Sequence, residues 1–321
     1  MVYFFIIGGF SLLLYGAEIV VRGAVGIADK LQISRLIVGM TIIAFGTSAP
    51  EFLVTLKAAL EGSSALAIGN VVGSNISNIL LVTGVAALLM PITLGAEDLR
   101  RDGWMLLTGT GLFLVCALRS VIDLPRGIVL LLFFFGFLTY SYLREKHRFV
   151  ELEGNLQKGS EPVAQNIFKL LIYLILGFIF LIYGAEILVK GGVRVARIHG
   201  VSEAVIGLTV MAIGTSLPEL VTSVVAAIRK HSDVALGNIV GSNVINVVGI
   251  VGVVSILTPL SVPSRVINFD GWVMLAATLL LMPYMIGSRQ EIGRFQALLF
   301  LFAYIVYIFS ISFGINTIKI G

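Results

Sequence analysis

Charge is scarce in this chain. Asp, Glu, Lys and Arg make up 12% of its 321 residues, about half the share of an ordinary soluble domain. No stretch is long or polar enough to form a separate soluble domain. Cysteine occurs once, at Cys116, so no internal disulfide is possible, and a lone thiol in an apolar run reads as a small packing residue. Histidine occurs three times, at His147, His199 and His231, with no spacing that groups them as metal ligands. No nucleophile–base pair suggests an intramembrane enzyme. The first basic residue is Arg22, beyond the opening apolar run, so the basic start of a cleavable signal peptide is missing. That run reads as a first span beginning outside. A net charge of +4 is modest and reflects loop bias, not a nucleic-acid partner.

Apolar length is abundant. Hydrophobic residues make up 58% of the chain and the mean hydropathy is +1.02. The expectation is an all-α integral membrane protein surrounded by lipid. Spans are predicted near 2–22, 34–60, 64–90, 103–119, 125–143, 166–188, 201–229, 234–258, 271–287 and 295–315. Charged separators lie between them, such as Arg144-Glu145-Lys146-His147-Arg148.

One register of internal repetition runs through the chain. Tyr15-Gly16-Ala17-Glu18 returns as Tyr183-Gly184-Ala185-Glu186. Gly46-Thr47-Ser48-Ala49-Pro50-Glu51 returns as Gly214-Thr215-Ser216-Leu217-Pro218-Glu219. Gly69-Asn70-Val71-Val72-Gly73-Ser74-Asn75 returns as Gly237-Asn238-Ile239-Val240-Gly241-Ser242-Asn243. Each pair is 168 residues apart, and 19 of 44 positions agree between 39–82 and 207–250 without a gap. Five spans per copy is an odd number, so the second copy enters the membrane from the opposite side. The prediction is ten transmembrane helices in two inverted five-helix repeats, 1–143 and 166–321, joined by a connector over 144–165. Secondary transporters of this build place the substrate near the midplane, between the repeats. With both termini outside, 14 of the 22 Lys and Arg residues fall on the inside, as the loop-charge rule favours.

Glu51 and Glu219 are expected deep in the second and seventh spans, where a carboxylate costs several kcal/mol and marks a functional site by default. A protonated structural glutamate is the bland alternative, and the recurrence of the same polar cluster in both copies argues against it. Two carboxylates brought face to face would suit a divalent cation and hard oxygen ligands. Pro50 and Pro218 lack the N–H that would bond the carbonyls of Gly46 and Gly214, so backbone oxygens around Thr47 and Thr215 become available. Thr47, Ser48 and Ala44 stand four, three and seven residues before Glu51, on one helix face. Ser74 and Asn78, mirrored by Ser242 and Asn246, add neutral oxygens. The glycines of the Gly-Asn-x-x-Gly segments read as close-packing positions. Glu18 with Arg22, and Glu186 with Lys190, read as interfacial ion pairs at i,i+4. Asp102 and Asp270 are expected to cap helix starts.

The duplicated Gly-Thr-Ser-x-Pro-Glu and Gly-Asn-x-x-Gly-Ser-Asn segments resemble the alpha repeats of the sodium/calcium exchanger family, within the cation/calcium antiporter superfamily. The resemblance covers essentially the whole chain, in the compact prokaryotic layout without a large regulatory domain. It implies Ca2+ bound by Glu51 and Glu219 with the carbonyls of Thr47 and Thr215. It implies Na+ bound by the same glutamates with Ser48, Ser74, Ser216, Ser242 and the carbonyls of Ala44 and Ala212, with Asn78 and Asn246 lining the centre. It implies alternating access in which the first and sixth helices slide over the others. Ca2+ and Na+ are then transported ions and no cofactor is expected. The partners expected are these ions and the lipid bilayer, with no obligatory protein partner. Potassium-cotransporting relatives carry Asp where this chain has Asn246, so K+ independence is expected. The nearest rival is an H+/Ca2+ antiporter, whose repeat helix usually carries Gly-Asn-x-x-Glu. A cation channel could also use paired carboxylates and freed carbonyls.

Overall fold

The computed structural model describes residues 2–93, 96–155, 166–199, 214–286 and 291–312. The long apolar runs become helices because no partner but the chain itself can satisfy backbone polar groups in lipid. Helix α1 spans Val2–Leu31. A bent pair follows, α2 (Arg35–Thr47) and α3 (Ala49–Leu60), with 45° between them. Then come α4 (Ser64–Leu89), α5 (Ala96–Ala117) and α6 (Leu124–Asn155). The second half holds α7 (Ile167–Ile198), α8 (Leu217–Ile228), α9 (Ser232–Leu257), α10 (Val266–Ile286) and α11 (Arg294–Ser312). Among the described residues seven helices are long and apolar enough to cross a membrane, and the bent pair makes an eighth. Helix α6 runs past its expected end at 143 to Asn155, into the predicted connector.

Four two-residue strands, invisible as periodicity, join the halves. Strand β1 (Ile92–Thr93) pairs antiparallel with β4 (Glu291–Ile292), and β2 (Val121–Ile122) pairs antiparallel with β3 (Leu260–Ser261).

Helices α1 and α7 lie antiparallel with their backbones nearly touching. A Cβ at Gly9 would meet the Gly184 carbonyl oxygen at 2.9 Å, and one at Gly16 would meet that of Gly177 at 2.9 Å. Gly9, Gly16 and Gly177, Gly184 recur every seven residues, which keeps them on one face. This close approach substitutes for the hydrophobic driving force that lipid does not supply. A second close crossing joins α2 to α9, where Gly237 and Gly241 lie against the carbonyls of Leu36 and Met40. Helices α4 and α9 are the most enclosed spans, at 78% and 89% buried. The polar residues predicted for the site therefore sit in the interior.

Asp102 and Asp270 do not cap helix starts. Their helices begin earlier, at Ala96 and Val266. Each Asp instead lies within its helix, neutralised by Arg101 at 2.7 Å or Arg265 at 3.0 Å.

Candidate cation site

Chain breaks bring the glutamates inward. Ser48, at φ −80° and ψ 3°, separates α2 from α3, and Ser216, at φ −85° and ψ 5°, precedes α8. Pro50 and Pro218 then occupy the first turn of the following helix, where a missing N–H costs nothing. The prolines thus start new half-helices instead of kinking continuous ones. Glu51 and Glu219 fall in those first turns, where the helix dipole favours negative charge.

Both glutamates are fully buried. Ser48 Oγ, from the first half, donates to Glu219 Oε1 at 3.2 Å. Thr215 and Ser74 are the side chains beside Glu51, and Thr47 lies beside Glu219. The site is thus shared between halves. Asn78 and Asn246 each sit at a break in regular α-helix, where π segments run over Asn78–Val82 and Ile245–Ile250. Such segments re-aim side chains and recur at functional sites. The first packs against α8 and the second against α3. Asn246 Nδ2 donates to Asn75 Oδ1 at 3.0 Å, and Asn75 Nδ2 to the Asn243 carbonyl at 3.1 Å.

Buried polar atoms in folded proteins nearly always have partners. Here both Glu51 oxygens, Glu219 Oε2, the hydroxyls of Ser74, Thr215, Ser216 and Ser242, and Oδ1 of Asn78 and Asn246 are buried with no hydrogen-bond partner among the described residues. Acceptor oxygens of two acids and several neutral groups, enclosed together, suit a hard cation. No group of three or more His, Cys, Asp or Glu occurs among the described residues, so neutral oxygens must complete any such shell. Ala44 is buried, and its carbonyl accepts the Ser48 N–H at 2.9 Å. Ala212 lies outside the described residues.

Two amides went unread in the sequence. Asn70 Nδ2 donates to the Glu51 carbonyl at 3.3 Å and to Thr55 Oγ1 at 3.0 Å. Asn238 Nδ2 donates to the Glu219 carbonyl at 3.4 Å and to Ser223 Oγ at 3.0 Å. The signal in the sequence is the duplicated Asn beside the duplicated Gly, at Gly69-Asn70 and Gly237-Asn238. The two expected ion pairs form at 2.6 Å each. Glu18 also binds Arg229, beyond the end of α8, at 2.7 Å, a partner that no local spacing signals.

The family profile described as sodium/calcium exchanger protein matches residues 1–143 and 169–313. The putative antiporter CaxA of Alkalimonas amylolytica is 37% identical over 311 residues, covering 94% of this chain and 96% of CaxA. The sodium/calcium exchanger MaX1 of Methanosarcina acetivorans is 32% identical over 337 residues, covering 94% and 95%. The sodium-calcium exchanger NCX_Mj, solved after soaking with 2.5 mM Na+ and 0.1 mM Ca2+, superimposes with a TM-score of 0.81 at 32% identity, covering 96% of this chain and 98% of NCX_Mj. With its membrane-spanning helices and its enclosed pair of acids, the chain belongs to the sodium/calcium exchanger family of membrane transporters.

Proposed function

We propose that this protein is an Na+/Ca2+ antiporter working by alternating access, with ten spans arranged as two inverted repeats. The observation that carries the reading is the enclosed Glu51–Glu219 pair surrounded by unpartnered oxygens. Two negative charges match one Ca2+, or Na+ ions sharing neutral oxygens, where desolvation makes an unbalanced charge costly. Glu51 and Glu219 hold Ca2+ with the carbonyls of Thr47 and Thr215. The hydroxyls of Ser48, Ser74, Ser216 and Ser242 and the carbonyls of Ala44 and Ala212 complete the Na+ positions, with Asn78 and Asn246 between them. In this assignment α5 and the span ending in α8 complete the ten. Strands β1 and β3, 168 residues apart, pair at different ribbons, which supports the inverted arrangement. The connector and the Arg22–Arg229 end face the cytoplasm, and both termini lie outside.

The access state also has support. Between α3 and α7 lies a cavity of about 910 Å3 that reaches Thr215, whereas the matching pair α8 and α1 is packed together and joined by Glu18–Arg229. The α3–α7 end is therefore the more open of the two, since the cavity beside Glu18 and Arg229 measures only about 470 Å3, and alternating access requires such an inequality.

The test is calcium uptake by proteoliposomes under separate gradients of Na+, H+ and K+. Uptake driven by Na+ alone is the expected result. Uptake driven only by H+ would move the protein to the proton-coupled class, and uptake without any counter-gradient would indicate a channel.

A further inference from the structure

The halves repeat in sequence but not in their hydrogen bonds. Thr47 Oγ1, from α2, donates to Asn238 Oδ1 in α9 at 3.1 Å. Shifting both residues by 168 gives Thr215 and Asn70, chemically the same pair. Yet Thr215 Oγ1 makes no bond to Asn70 and lies beside Glu51 instead. Ser48 Oγ reaches Glu219, while its counterpart Ser216 Oγ has no hydrogen-bond partner among the described residues. Both broken bonds belong to the second half, and Thr215 lines the open cavity. Both made bonds accompany the packed end, where α1 lies on α8.

In an inverted-repeat carrier one repeat rocks or gates against the other, and because both halves hold the same residues, a contact made by one half in one access state has a counterpart for the other half to make in the opposite state. Only contacts whose residues recur can be exchanged in this way. Glu18–Arg229 fails that condition, because the matching residues are Glu186 and Glu61, which repel. Thr47–Asn238 meets it. Asn238 and Asn70 also already hold the glutamate-bearing turn of their own halves through the Glu219 and Glu51 carbonyls. Each amide is thus placed to link the acid of one half to the chain break of the other.

We propose that Asn70 and Asn238 are positioning residues for the exchange cycle. Each anchors the glutamate turn of its own half, and each accepts the threonine hydroxyl of the opposite half only in the access state that closes its end. The cycle trades Thr47–Asn238 for Thr215–Asn70. This inference rests on alternating access as proposed above, and not on which ion drives it.

The test uses a Cys116→Ala background carrying Val21→Cys, a buried position lining the cleft between α1 and Arg229. Labelling by a maleimide is followed in detergent, with an organic cation as the only cation. Its rate reports how often the packed end opens. Thr47→Val removes the bond present in this structure, so labelling should rise about two- to tenfold, the span of one hydrogen bond. Thr215→Val removes the bond of the opposite state, so labelling should fall by a similar factor. Thr47→Ser keeps a hydroxyl and should label at the parent rate, and Thr47→Ala should repeat the valine result if valine disturbs folding. Changes in the same direction for Thr47→Val and Thr215→Val, as ordinary loss of a packing contact gives, would overturn the proposal. So would no change in either. Labelling needs no transported ion, so its outcome is separate from that of the flux experiment.

Discussion

At the residue scale the account stands on two carboxylates. Each is buried without a neutralising basic residue bonded to it among the described residues. Glu51→Gln or Glu219→Gln keeps the shape but halves the site's charge, so each should reduce calcium flux at least a hundredfold. Size-exclusion behaviour and helical content should not change. Near-normal flux in either variant would show that the charge pair is not the binding site. Asn246 is neutral, so the cluster holds no third anion for a further cation. Calcium flux at a fixed sodium gradient should be equal with K+ or an inert organic cation in the buffer. These acids were legible in the sequence because an acid, a proline and two hydroxyls recurred together. Asn70 and Asn238 recurred as plainly, but their role depends on which carbonyls they reach, and spacing does not carry that. Asp102 and Asp270 misled for the opposite reason: Asp before an apolar run reads as a cap, whereas here the helix starts upstream and an Arg supplies the neutralising charge.

At the element scale, helix existence followed from apolar length, while breaks and contacts followed from tertiary packing. The α2–α3 break was readable from Pro50, but the π segments at Asn78 and Asn246 open on no proline or glycine, the one glycine, Gly249, lying near the end of the second. The α1–α7 contact gives a paired prediction on adjacent glycines. A Cβ at Gly9 would lie 2.7 Å from the Leu188 backbone nitrogen, whereas one at Gly8 would meet nothing within 4 Å. Gly9→Ala should therefore destabilise by about 1–3 kcal/mol through overpacking. Gly8→Ala should be neutral or slightly stabilising, by up to about 1 kcal/mol of helix propensity. Thermal unfolding in detergent compares them. Equal midpoints for the two variants would mean that the backbone contact between α1 and α7 is not tight.

At the scale of the whole molecule, the 168-residue offset made the internal duplication legible before any coordinates, because one register across apolar helices has no compositional origin. The two ribbons and the unequal ends were not legible, since the repeats are alike in sequence and differ in conformation. The proposed orientation predicts that Lys158→Cys, in a Cys116→Ala background, resists an impermeant thiol reagent applied to intact cells and reacts after permeabilisation. Fast labelling from outside would reverse the topology. The central claim, that Ca2+ and Na+ use the same pair of glutamates in alternation, is tested most directly by following both ions in one preparation. Proteoliposomes loaded with Na+ are diluted into Na+-free buffer containing Ca2+, and calcium entry and sodium exit are recorded together. The account predicts that the two fluxes start together, reverse when the sodium gradient is reversed, and vanish together in Glu51→Gln. Calcium entry that persists without sodium exit, or that survives in Glu51→Gln, would contradict it.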